Sequence, residues 1–177
     1  MREQLKKILL EKSVITGKEF TLSSGKKSDF YVDARITTLD PAGAYLCGKL
    51  FLEMLKDYKV DAVGGYSIGA DPIVSSIAVL SYQAGEPVPA FIIRKEEKTH
   101  GTRKAIEGNF PENAVVAIFD DVVTSGGSIL KGAKQVEALG GKVEVIMSVI
   151  DRNEGGREII EGAGYKFLSI FKKEDLL

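Results

Sequence analysis

The sequence predicts an α/β fold, a parallel sheet with helices on both faces, and three observations carry that prediction. Short runs rich in apolar residues recur at 60–66, 89–94, 115–119 and 143–150, the near-continuous pattern of strands buried on both faces. Between them lie longer stretches with helix start and stop signals, so strand and helix alternate. The chain has 177 residues, 44% of them hydrophobic, which is about one domain with enough apolar surface for a proper core.

Each element follows in order. Leu5, Ile8 and Leu9 share a helical face, so 3–12 reads as an amphipathic helix laid on the body. Residues 19–33, EFTLSSGKKSDFYVD, place two aromatic or β-branched runs around a Ser/Gly/Lys turn, a hairpin signal. Asp40 followed by Pro41 starts a helix: a capping side chain, then a residue whose missing N–H costs nothing at the first position. Leu46, Leu50 and Met54, with Cys47, Phe51 and Leu55 beside them, carry it to about Tyr58, and Cys47 reads as core. A strand at 60–66, a helix at 71–85 with Pro72 in its first turn, and a strand at 89–94 follow. After a charged stretch come a strand at 115–119, a helix at 128–139 stopped by Gly140 and Gly141, and a strand at 143–150. A short helix at 155–161 and a strand at 165–171 complete the series.

Composition excludes several classes of function. Lys and Arg number 24 against 25 Asp and Glu, a net charge of −1, so no global field favours nucleic acid or an anionic membrane. One cysteine and one histidine exclude an internal disulfide and disfavour a dedicated zinc site. The N-terminal MREQLKKILLEKS lacks the apolar core of a signal peptide, and no apolar run approaches the roughly 18 residues of a membrane span. These features lead us to expect a cytoplasmic protein with neither nucleic acid nor membrane as partner.

Parallel sheets bind ligands outside the carboxyl ends of their strands, where four polar loops are expected: 65–71, 94–109, 120–128 and 151–156. In VVAIFDDVVTSGGS (115–128) an apolar strand ends against Asp120 and Asp121, and a Thr/Ser/Gly run then turns into a helix. Thr124, Ser125, Gly126, Gly127 and Ser128 would offer hydroxyls and backbone N–H groups to a phosphate at the helix's positive end. The two carboxylates can accept hydrogen bonds from vicinal hydroxyls or touch a divalent cation. A sugar phosphate satisfies both halves. Neither G-x-G-x-x-G nor a Walker spacing is present. The stretch RKEEKTHGTRKAIEGNF (94–110) is either a solvated hairpin or an arm that brings cations onto a polyphosphate. Arg152, at the end of a strand, is either a surface ion-pair partner or a fork for a planar carboxylate.

The strand with two acids, two apolar residues and a Thr/Ser/Gly loop resembles the diphosphoribosyl-binding signature of the type I phosphoribosyltransferases. RKEEKTHG (94–101) and DRNEGG (151–156) look like the flexible loop and the D-R-x-E-x-G segment of the orotate phosphoribosyltransferase family. FTLSSGKKS and GGYSIGADP resemble its base-pocket opening and its pyrophosphate loop, where the family implies a non-proline cis peptide. Many relatives carry lysine at the position of Ser23, a charge that Lys26 or Lys27 would then supply, and some carry lysine where Gly69 stands.

The resemblance implies a type I phosphoribosyltransferase core as one domain, 1–177. Residues 1–35 and about 151–177 would form a small hood over the base. It implies transfer of the phosphoribosyl group of phosphoribosyl pyrophosphate (PRPP) to N1 of orotate in pyrimidine biosynthesis. Lys98, His100 and Asp121 are implied as catalytic. Arg94, Lys95, Lys98, His100, Asp120, Asp121, Val122, Val123, Thr124, Ser125, Gly126, Gly127 and Ser128 are implied as PRPP contacts. Thr124 and Arg152, with Tyr31 and Lys26, would bind orotate. Mg²⁺ would be held mainly through PRPP, with Asp120 and Asp121 as its protein contacts, and a homodimer would let the 94–109 loop reach the neighbouring site. A purine transferase would share the cradle but leave Arg152 and the arm without a purpose.

Overall fold

The computed structural model describes residues 1–21, 27–95 and 105–177. In chain order the elements are α1 (Arg2–Lys12), β1 (Val14–Thr21), β2 (Lys27–Val32), α2 (Ala34–Thr38), α3 (Pro41–Leu55), β3 (Ala62–Tyr66) and α4 (Asp71–Gln83). Then come β4 (Ala90–Ile93), β5 (Ile106–Gly108), β6 (Val115–Val123), α5 (Gly127–Ala138), β7 (Lys142–Asp151), α6 (Gly156–Gly162), β8 (Phe167–Lys172) and a closing 3₁₀ turn (Lys173–Leu176). A six-stranded sheet runs β5-β4-β3-β6-β7-β8, and β1 pairs with β2 in a separate antiparallel hairpin. Within the large sheet every pairing is parallel except that of β5 with β4.

Side-chain alternation along β6 builds a core on each face. Ala117 and Phe119 pack with Leu5 and Leu9 of α1, Phe51 of α3 and Ile73 and Ile77 of α4. Val116 and Ile118 point the other way, against Ile129, Ala133 and Val136 of α5 and Ile160 of α6. Phe51 meets Phe119 edge-on at 4.9 Å between ring centres, an arrangement worth about 1 kcal/mol beyond the area it buries. Asp40 caps α3 through the N–H groups of Ala42 and Gly43 and pairs with Lys12, fastening α1 to α3. Cys47 is fully buried in this core, and burial pushes its thiol up to about 12.

Four departures from the sequence reading matter. The strand does not stop at Phe119: β6 runs on through both acids to Val123, because Asp120, Val122 and Val123 stay in parallel register with Ser148, Ile150 and Asp151 of β7. A short helix, α2, fills the connection after the hairpin, capped by Asp33. The charged stretch after β4 contributes an edge strand, β5, with Ile106 buried. Helix α3 ends at Leu55, and Tyr58 closes a turn back onto the Leu55 carbonyl.

The strands β3, β4, β6 and β7 all end at the same sheet edge. Between β3 and β6 the chain order reverses, since β3 leads outward to β4 and β6 leads the other way to β7. That reversal is where a doubly wound sheet opens a crevice.

Candidate active site

The crevice is a cleft of about 290 Å³. Its floor is the end of β6, its flanks are the Ser67–Gly69 loop after β3 and the Thr124–Ser128 turn, and Tyr31 and Val32 of the hairpin close one side. Arg152 reaches in from the end of β7.

The two acids sit side by side. Asp120 accepts the N–H of Asp121 at 2.9 Å, and Asp121 accepts the N–H of Val122 at 2.9 Å, so each carboxylate is held by the strand that carries it. Burial above all, and then the adjacent Asp121 carboxylate, pushes Asp120 well above the usual carboxylate range, while Lys95 opposes the rise. The pair therefore resists carrying two full charges until a ligand brings donors or a cation.

The Thr124–Ser128 turn leads from β6 into α5. Gly126 adopts φ +75°, and a Cβ there would fall 2.9 Å from the Gly156 carbonyl, so only glycine lets this turn pack against the next loop and lead into α5. Thr124 and Ser128 line the cleft. Ser125 and Gly127 are exposed, and the buried Val123 serves the core.

Arg152 is 6% exposed. It pairs with Glu154 at 2.8 Å and donates to the Phe30 carbonyl at 3.3 Å, tying the β7 loop to the hairpin. Its neighbour Asp151 is fully buried, accepting from Arg157 Nε at 3.1 Å and from the Asn153 N–H at 2.9 Å. Tyr31 stacks on Phe20, ring centres 5.1 Å apart, and lines the cleft.

The peptide bond between Ser67 and Ile68 is cis. At Gly69 an added Cβ would lie 2.3 Å from Asp121 Oδ1, so the loop approaches the acid as bare backbone and leaves no room for a lysine in this geometry.

Most described residues expected at the site meet there: Tyr31, Lys95, Asp120, Asp121, Val122, Thr124, Ser128 and Arg152. Arg94 does not. It lines an adjoining cavity of about 510 Å³ and faces Glu107 at 3.6 Å, because the pairing of β5 with β4 holds its backbone to Ala105. Lys26, Lys98 and His100, with Ser23, lie outside the described residues; Lys27 is exposed at the start of β2. The sequence reading missed Asp33 and Arg35, which also line the cleft. The signal was an Asp-x-Arg pair directly after the hairpin.

Among the described residues no cluster of three or more His, Cys, Asp or Glu could cage a metal. The hard oxygen donors Asp120 and Asp121 nevertheless fit a divalent cation whose remaining ligands come from a substrate.

No family model matches the chain. It is 43% identical to the orotate phosphoribosyltransferase of Aquifex aeolicus over 99% of this chain and 97% of that protein. The chain belongs to the orotate phosphoribosyltransferase family. Among solved structures, the Mycobacterium tuberculosis orotate phosphoribosyltransferase bound to Fe(III) dicitrate superposes with a TM-score of 0.86 at 36% identity, covering 99% of this chain and 98% of that one. The same enzyme in complex with PRPP gives 0.83 at 33% identity, with the same coverage. The orotate phosphoribosyltransferase fold thus accounts for the mostly parallel sheet and for the crevice at its edge.

Proposed function

We propose that the chain transfers the 5-phosphoribosyl group of PRPP to N1 of orotate, giving orotidine 5'-monophosphate and pyrophosphate in pyrimidine biosynthesis. One observation carries the reading: two strand-borne carboxylates run into a glycine and hydroxyl turn at a helix N-terminus, and a buried arginine faces the same cleft. This is the donor set that a sugar phosphate and a carboxylated base need together.

The chemistry follows from the positions. The turn Thr124 to Ser128 holds the 5'-phosphate through N–H groups and hydroxyls, with Val122 and Val123 contributing backbone on its approach. Asp120 and Asp121 accept from the ribose hydroxyls, and Arg152, together with Thr124 and Tyr31, orients orotate so that N1 meets the anomeric carbon. Lys26 is proposed as a further base-side cation. The C1'–O bond to pyrophosphate breaks, the N1–C1' bond forms and the N1 proton is released.

Positive charge grows on the ribose as the bond breaks, and Asp121 is the carboxylate assigned to it. Lys95, Lys98 and His100 balance the leaving pyrophosphate, with Arg94 joining from the same segment. When bound, Mg²⁺ neutralises phosphate charge as a Lewis acid; Asp120 and Asp121 are the side chains that would touch it.

A homodimer, in which the 94–109 loop serves the neighbouring site, is part of the proposal. It is supported by exposed apolar residues, Ile68 at 62% in the cleft, Leu39 at 70% in the cavity adjoining it and Val79 at 68% on α4, the kind of surface a second copy covers. No helix among the described residues is long and apolar enough to cross a membrane, in keeping with a proposed cytoplasmic location.

The test is loss of orotate absorbance with purified protein, PRPP and Mg²⁺, beside adenine, hypoxanthine and uracil, with and without a chelator. Consumption of orotate alone, abolished by the chelator, is expected. Turnover of a purine or uracil with orotate untouched would overturn the assignment of Arg152.

A further inference from the structure

Two cations stand beside the Ser67–Gly69 loop, and Arg35 has no part in the transfer described above. Lys95 lines the main cleft and shares the 510 Å³ cavity with Ile68. Arg35 also lines the main cleft, and it shares a different cavity, of about 450 Å³, with the same Ile68. Both basic side chains therefore stand at this cleft, each beside Ile68 in a further cavity of its own.

The loop has little charge of its own to offer an anion. Gly69 is bare because Asp121 fills the space its side chain would take. The Ser67 hydroxyl donates to Asp71 at 3.1 Å. Among the described residues lining the cleft, the cations are Arg35, Lys95 and Arg152, and Arg152 is engaged with Glu154 and the hairpin. A polyanion lying along this loop would meet Arg35.

Arg35 is built to wait there. Its Nε donates to Asp33 Oδ1 at 2.8 Å and Nη2 to Asp33 Oδ2 at 2.9 Å, a two-pronged pair that fixes the plane of the guanidinium. Asp33 is itself fixed as the cap of α2, accepting the backbone N–H of Arg35 at 3.1 Å. The pair lowers Asp33 and raises Arg35, and Arg35 also feels the charge of Asp121 across the cleft. Yet the Arg35 side chain remains 44% exposed, so it is both oriented and open to a ligand.

We infer that Arg35 is a binding residue for the diphosphate of PRPP, contacting the leaving group beside the Ser67–Gly69 loop. The inference rests on the phosphoribosyl reading above and adds a cation from α2 to it. Pyrophosphate carries the charge that Arg35 recognises, whereas orotidine monophosphate fills the phosphate cradle and base pocket without reaching this end.

The experiment is calorimetric titration of PRPP and of orotidine monophosphate, in Mg²⁺, into the wild type, Arg35→Ala and Asp33→Asn. Arg35→Ala should weaken PRPP about tenfold, the loss of one charge-assisted contact, and leave orotidine monophosphate within twofold. Asp33→Asn, which keeps the guanidinium, should hold PRPP within threefold. An unchanged PRPP affinity in Arg35→Ala, or equal losses for both ligands, overturns the inference. So does an Asp33→Asn effect as large as that of Arg35→Ala, since the pair would then act only as a brace. A wild type that binds neither ligand would sink the phosphoribosyl reading itself, a result distinct from all of these.

Discussion

Asp120 and Asp151 stand on neighbouring parallel strands near the same sheet edge, with Asp151 level with Val123, just beyond Asp120 in register. Their surroundings are opposite. Asp151 is fully buried and matched at rest by the Arg157 guanidinium and the Asn153 N–H. Asp120 faces a second carboxylate, and among the described residues it has no ion-pair partner; its pKa is pushed up accordingly. A buried acid with its own counter-ion braces a loop, here the one that carries Arg152. An acid left beside a like charge keeps an electrostatic cost outstanding, and a ligand that supplies hydroxyls or a cation relieves it.

The comparison can be broken most directly at Arg157. Arg157→Leu leaves the Asp151 charge buried without a counter-ion, at about 3 kcal/mol, and for a chain of this size should lower the Tm by roughly 6–12 °C. Adding Asp151→Asn should recover part of that loss; thermal unfolding of the two variants reads both. A Tm shift under about 2 °C for the single variant would mean that Asp151 is no brace.

Asp121→Asn tests the other acid. The expected result is a fall in kcat of about a hundredfold, near 2.7 kcal/mol of transition-state stabilisation, with no loss of Tm. A large loss of Tm with an unchanged kcat would put Asp121 in the structural class beside Asp151.

The smallest effect concerns pH. Folding raises the pKa of Asp120, so the folded chain holds that proton to higher pH than the unfolded chain, and stability is lost as pH rises from about 3.8 towards the raised value. Asp120→Asn escapes this loss. In the ligand-free protein its Tm should exceed that of the wild type by a few degrees at pH 8, with the gap closing towards pH 4. A gap independent of pH would separate Asp120 from the electrostatic explanation.

Much of this molecule is legible along the chain. The strand and helix alternation, the Asp40–Pro41 helix start and the buried Cys47 all follow from local pattern, because periodicity and capping report nearest neighbours. The candidate site is legible where it is contiguous: Asp120 to Ser128 is one stretch, and Arg152 ends the next apolar strand. Asp33 and Arg35 escaped because α2 is a five-residue helix with no apolar period of its own. The edge strand β5, which holds the Arg94 backbone through Ala105, also has too short an apolar run to be read along the chain.

The order of apolar runs and punctuating residues was enough to specify the α/β class and the end of the sheet where chemistry gathers, since burial and turn formation act over a few residues. The packed chain was needed to extend β6 past its acids, to bring Gly69 against a carboxylate on another strand, and to set Arg35 beside the same cleft. Each of these depends on a partner remote in sequence, and the energies of strand pairing, close packing and charge are settled by what stands opposite.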